Sequence, residues 1–396
     1  MNQLKFLVLV ASFLFISTAC KDDNILSPIS PEIGEESLSK YSKAETTVKV
    51  MTRNLYVGAD VDRIMQVEDP NQIPLVVTEV FQSLLATNFP ERAEALAKEI
   101  MINQPHLIGL QEVSLLRIQS PGDAVVGGAI PAEDVVMDYL EILLSTMSAM
   151  GLQYEVVAKV ENADVEMPMV VSPVPEFDDI RLTDYDVILA KKGIAISNVT
   201  ERNFKAMVTI PELGIEMPRG YTAVTANING CKYRFVNTHL EDADQGGDLL
   251  RIQIAQASEL LLRLAKVKIP VILVGDFNSA APHEATYKLL TLTNRYKDTW
   301  LQNTLSENQL GLTYGHDFDL LNTSQNFWKR IDYIFVRNGW FCRKRVKLVN
   351  VSAEVLGDEI EDKTPSGLWP SDHGGVTADL TFKYKKAKKL WFREQK

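Results

Sequence analysis

Cysteine is scarce: the 396 residues hold three, Cys20, Cys231 and Cys342. That count excludes a disulfide scaffold. The chain contains no C-x-x-C pair and no H-E-x-x-H string, so the common zinc patterns are missing. It also lacks a G-x-x-x-x-G-K loop of the kind that cradles nucleotide phosphates. No long internal repeat is visible, which excludes a solenoid. Positive charge is in deficit, with 41 basic against 52 acidic residues and a net charge of −11. An acidic chain does not attract polyanions at long range, which counts against a tight, nonspecific DNA binder. It does not exclude a nuclease, because bound divalent cations and a local basic cleft can offset the field.

The apolar fraction of 46% is enough for a sizeable core. The N-terminus reads as a targeting segment. Lys5 supplies a positive start, and the apolar stretch Phe6 to Ile16 is too short to span a bilayer. Ser17-Thr18-Ala19-Cys20 resembles a lipoprotein cleavage site, so residues 1–19 are expected to be a signal peptide and Cys20 a lipidated terminus. An ordinary secretory signal is the alternative. Lys21-Asp22-Asp23 resembles a surface-export signal of some Gram-negative lipoproteins. Residues 20–45 read as a flexible tether, 46–385 as the folded domain and 386–396 as a basic tail. The expected location is the outer membrane or surface of a Gram-negative cell, held by lipid chains. Cys231 and Cys342 lie in strand-like segments and read as two buried thiols, with a disulfide the alternative.

Apolar runs and helical stripes alternate along the chain. Leu250, Ile254, Ala257, Leu261 and Leu264 fall at steps of four and three and predict an amphipathic helix. It lies between two strand-like runs, Tyr233–Asn237 and Ile269–Val274. An earlier unit repeats the plan: a strand over 47–52, a helix near 91–102 opened by Asn88 and Pro90, and a strand over 107–111. A further helix is expected over 133–150. Segments 161–183, 301–328 and 353–371 read as loops at the active end. The pattern is α/β.

Six short strings each close or form a strand-like run. They are Asn54, Gln111-Glu112, Asn237-Thr238-His239-Leu240, Gly275-Asp276-Phe277-Asn278, Arg330-Ile331-Asp332-Tyr333-Ile334-Phe335 and Ser371-Asp372-His373. In this order the series resembles the endonuclease/exonuclease/phosphatase superfamily, over roughly residues 46–382. The resemblance implies a four-layered α/β/β/α sandwich, two stacked mixed sheets flanked by helices, with functional loops at one edge.

It also implies a site. Glu112 is expected to be the main ligand of a hard cation, Mg²⁺ or Mn²⁺, with Asp372 a further ligand and Asn54 positioning the metal or its water. Asp276 would orient or deprotonate the attacking water, and Asn278 would bond a phosphoryl oxygen. His239 and His373 would bond nonbridging oxygens or share in proton transfer, with Asp332 holding one tautomer of His373. Asp184 or Asp186 is expected to partner His239. Arg219 is read either as a phosphate contact or as a surface arginine. His106, His283 and His316 read as surface or packing residues. The inositol phosphatases of that superfamily carry a tyrosine-arginine pair after the G-D-x-N string, where this chain has Ser279-Ala280. The expected activity is therefore metal-dependent phosphodiester hydrolysis on nucleic acid or a phospholipid headgroup. The alternative is a non-catalytic surface adhesion lipoprotein on the same scaffold.

Overall fold

The computed structural model describes residues 45–128, 130–171, 176–211, 214–244, 246–293, 296–303, 310–341 and 344–385. Residues 1–44, including Cys20 and the expected signal peptide, lie outside the described residues, as do Cys342 and the tail 386–396. Two large mixed sheets carry the fold.

The first sheet has nine strands. Glu45–Asn54 is central, with Leu107–Gln111 parallel on one side and Gly375–Lys385 antiparallel on the other. Phe177–Lys191, Leu115–Gln119 and Asp134–Asp138 continue one flank, and Lys344–Leu356 and Gly339–Phe341 the other. The second sheet has six strands. Its middle is Cys231–His239 parallel to Val271–Asp276, with Asp332–Arg337 antiparallel beyond.

Strand alternation explains the layering. Val48 and Val50 point into the space between the sheets, where they meet Val224, Phe235, Ile272 and Val274 of the second sheet. Met51 points the other way, onto Leu96 and Leu143 of the helices Phe89–Asn103 and Tyr139–Ala149. On the far side, Leu273 and Phe335 pack against Leu260 and Leu264 of the helix Gly247–Leu264. The run Val271-Ile272-Leu273-Val274 is wholly apolar because both of its faces are covered. The expected α/β/β/α order is thus present.

Four expectations change. Residues 134–138 form an edge strand rather than helix, and the helix starts only at Tyr139. Asp138 explains the switch: its carboxylate accepts the Glu141 N–H as an N-cap. Segment 161–183 is mostly strand, within Tyr154–Val170 and Phe177–Lys191. Its polar residues pair across the sheet, Arg181 with Asp164 and Glu133. Of 353–371, the first four residues still belong to the strand Lys344–Leu356. In the helix Gly247–Leu264 the inner face is shifted from the apolar stripe, since Gln253 and Gln256 are buried while Leu250 and Ile254 are only half-buried.

Candidate active site

The strands end together. Asn54 and Gln111 are register partners on parallel strands, so Asn54 and Glu112 leave the first sheet at the same edge. In the second sheet, His239 pairs with Asp276, and Asp276 with Asp332. Asp372 and His373 lead into the strand at Gly375, beside Glu45–Asn54. Ligand sites beyond the carboxyl ends of parallel strands are the rule in such sheets. Asn237 bolts the two layers together: its amide donates to Leu110 O at 2.9 Å and Val187 O at 3.1 Å. Gly109 leaves room for it, because a Cβ there would lie 2.6 Å from Asn237 Oδ1. Tyr56, Glu112 and Asn278 all adopt left-handed backbone, with φ of 61°, 53° and 46°. Such strain at non-glycine positions is held by surrounding structure and gathers at functional sites.

Asp276 is the hub. Its Oδ2 lies 3.2 Å from Asn54 Nδ2, 3.5 Å from His239 Nε2 and 3.7 Å from His373 Nε2. Its Oδ1 accepts the Asn278 N–H at 2.9 Å. Asn278 Nδ2 donates to Leu240 O and lies 3.2 Å from His239 Nε2. His373 Nδ1 is 2.9 Å from Asp332 Oδ2, the pairing the sequence led us to expect. Glu112 is fixed by two donors, Asn54 Nδ2 on one oxygen and the Val57 N–H on the other, each at 2.8 Å. Asn54 turns its oxygen to the Tyr56 N–H. It thereby orients Glu112 through its amide nitrogen.

The two histidines are driven apart. Burial, with the Arg219 and His373 charges, holds His239 well below its ordinary pKa, so it is neutral. His373 is raised well above, because Asp332, Asp372 and Asp276 outweigh its burial. Burial, then Asp332, pushes the Asp276 carboxyl up. Burial and Glu112 do the same to Asp372, against the lowering effect of His373. Two buried histidines whose proton affinities are pushed in opposite directions, either side of the Asp276 carboxyl, suit acid/base chemistry.

The donors fit a hard cation. Glu112, Asp276 and Asp372 crowd negative charge into a buried space, and a divalent ion would relieve the repulsion. Ligand atoms of Asp276, Asp332 and His373 also come within 4.8 Å of one another. Two members of that second set, Asp332 and His373, are already engaged with each other by a hydrogen bond at 2.9 Å.

His239 has no carboxylate at Nδ1. That nitrogen faces Arg219 Nη1 at 3.1 Å, and Arg219 in turn approaches Asp184 Oδ2 at 3.7 Å. The expected Asp184 or Asp186 partnership is thereby replaced: the arginine stands between. Asp184 takes Asn162 Nδ2 at 3.0 Å, and the fully buried Asp186 faces Asn162 and the His239 backbone N–H rather than the imidazole. Arg219 is not a surface arginine, since it sits among His239, Asp184 and Glu241.

Sequence reasoning missed several supporting residues. Arg92 is fully buried and donates to the carbonyls of Thr87, Leu55, Tyr56 and Pro370. Arg53 donates to His373 O and pairs with buried Glu99 at 2.8 Å. Gln253 donates to Asn278 O at 2.7 Å. The Tyr314 ring stands 4.8 Å from the His373 ring. None stands in a motif; each is recognisable only once the loops are in place. Of the other histidines, His106 accepts the Lys49 N–H, His316 stacks on Trp369 at 4.0 Å, and His283 is exposed. Cys231 is a buried thiol. Among the described residues no helix is long and apolar enough to cross a membrane.

The model of one protein family, described as the Endonuclease/Exonuclease/phosphatase family, matches residues 81–373. No curated protein sequence matches significantly. Similar solved structures include an endonuclease/exonuclease/phosphatase family protein from Bacteroides thetaiotaomicron, 15% identical, covering 87% of this chain and all (100%) of that one, with a TM-score of 0.49. The mannosyl-6-phosphatase of the same organism is 16% identical, covering 84% of this chain and 99% of that one, with a TM-score of 0.48. Truncated TDP2 of Caenorhabditis elegans is 16% identical, covering 85% of this chain and 97% of that one, with a TM-score of 0.47.

Proposed function

The chain belongs to the endonuclease/exonuclease/phosphatase family, whose members are metal-dependent phosphoesterases, and we propose on that basis that it hydrolyses phosphodiesters with Mg²⁺ or Mn²⁺. The observation that carries this reading is Asp276 Oδ2 between His239 Nε2 at 3.5 Å and His373 Nε2 at 3.7 Å. Glu112 and Asp372 would hold the ion, which when bound neutralises phosphoryl charge.

The remaining steps belong to the side chains. Asp276, with its raised proton affinity, takes the proton of the attacking water. Asn278 Nδ2 and Arg219 offer donors to phosphoryl oxygens. Positive His373, steadied by Asp332, stabilises the charge that builds on a nonbridging oxygen. Neutral His239 keeps Asp276 and Asn278 in place. The substrate is nucleic acid or a phospholipid headgroup. The protein would work in the cell envelope, tethered through a lipidated Cys20.

The test is hydrolysis of plasmid DNA, RNA, sphingomyelin and bis-p-nitrophenyl phosphate, with Mg²⁺ or Mn²⁺ and with EDTA. EDTA-sensitive cleavage of one class is expected. Folded, metal-binding protein that cleaves none of them would instead favour a binding lipoprotein on this scaffold. Loss of acyl labelling in Cys20→Ala would check the anchor, and unchanged labelling would dismiss it.

A further inference from the structure

A groove of about 500 Å³ opens beside the catalytic edge, within the size range of small-ligand pockets. Its walls come from three elements. Ala59 and Asp60 follow the Asn54 strand, Val80 and Ser83 belong to the helix Ile73–Ala86, and Leu368 precedes Asp372. Phe318 and Leu321 form its lip.

The groove and the site share the loop that follows Asn54. Val57, two residues before Ala59, gives its N–H to Glu112 at 2.8 Å. The Tyr56 hydroxyl donates to Phe318 O at 2.9 Å, so the lip is hung from the same loop. Phe318 and Leu321 are about half exposed, at 51% and 53%, unusual for large apolar side chains beside a polar centre.

We propose that this groove is the subsite for the organic ester group of the substrate, and that the group it accepts is an uncharged aryl or alkyl chain. The inference rests on the phosphoesterase reading and narrows its substrate. Two kinds of observation support an uncharged occupant. The wall is mainly apolar. Its charged members are Asp60, Asp319 and Arg63, the last already paired with Glu79 at 2.8 Å, and Asp62 lies near enough to Asp242 and Asp60 for both to add to the upward push of its burial. A polynucleotide in the same place would set its flanking phosphates against these carboxylates. An aryl or alkyl ester meets no such cost and gains the burial of its carbons.

The test uses the whole protein with Mg²⁺. Methyl, butyl and octyl phosphate are titrated by calorimetry into wild type and into Ser83→Trp. Ser83 is exposed on its helix and lines the groove, so a tryptophan there fills it. Butyl phosphate should bind wild type about tenfold more tightly than methyl phosphate, for a chain only partly covered. In Ser83→Trp the two should bind alike. The double variant Phe318→Ala, Leu321→Ala should reduce the same preference without filling the groove. Octyl phosphate as monomer and in phosphatidylcholine vesicles separates a soluble ester from a membrane-held one; tightening in either form supports the subsite.

Hydrolysis of bis-p-nitrophenyl phosphate runs alongside. Ser83→Trp should raise its KM about tenfold and leave kcat unchanged. EDTA-sensitive hydrolysis with no chain-length preference, and no effect of Ser83→Trp, would overturn the subsite alone. Absence of hydrolysis by wild type on every ester would overturn the phosphoesterase reading, and the subsite with it.

Discussion

Asp276 gathers the chemistry at the residue scale because its two oxygens serve different neighbours. One is tied to the Asn278 N–H, while the other faces Asn54 and both histidines. Its neighbours divide the remaining work. Glu112 is the carboxylate fixed by two N–H donors, and on the proposed reading it holds the cation. Glu112→Ala should lower turnover at least about 100-fold and shift half-saturation by Mg²⁺ upward; wild-type metal dependence would remove Glu112 from that role. His373 is held by Asp332 through Nδ1, and on the proposed reading it supplies positive charge to the phosphoryl group. His373→Ala should cost about 10²–10⁴ in kcat, with circular dichroism unchanged. A rate near wild type would show that the charge on His373 is not used.

At the scale of elements, the strand Val271–Asp276 delivers the hub residue through an unusual turn of backbone. Gly275 has φ +143°, and a Cβ there would lie 1.9 Å from Thr238 O on the neighbouring strand. A side chain at this point must push the parallel strands apart just where His239 and Asp276 meet. Gly275→Ala should therefore destabilise the fold by about 3 kcal/mol, read as a lower urea midpoint with unchanged slope. The helix Gly247–Leu264 contributes by the same logic of position. Its buried Gln253 reaches Asn278 O and Glu241 O, so an element first recognised by its leucines also holds the strained Asn278 turn.

Across the whole molecule, the loops after Asn54 and before Asp372 come from opposite ends of the domain and must be held side by side. Arg92 does this from the helix Phe89–Asn103, donating to Leu55 and Tyr56 carbonyls on one loop and Pro370 on the other. A lysine cannot reach the carbonyls of both loops and of Thr87 together, and each buried acceptor left open costs about 1–3 kcal/mol. Arg92→Lys should lower Tm and weaken Mg²⁺ binding together, measured by scanning calorimetry and metal titration. A variant with wild-type metal affinity and a lower Tm would make Arg92 purely structural. The amino-acid sequence by itself determined the α/β units and the motif residues, because burial on two faces leaves unbroken apolar runs and because Asn54, Glu112, His239, Asp276, Asp332 and His373 each end or begin such a run, while the four-layered order followed from the family resemblance those residues carry. Periodicity could not separate the edge strand 134–138 from the helix behind it, nor see that the polar segment 161–183 pairs as strand, since charges matched across a sheet leave no trace along the chain. Only the tertiary structure decided that Arg219, not Asp184 or Asp186, faces His239, that Arg92 and Arg53 support the site from behind, and that a groove opens beside it. These are contacts between segments far apart in sequence, and their partners become neighbours only when the two sheets stack.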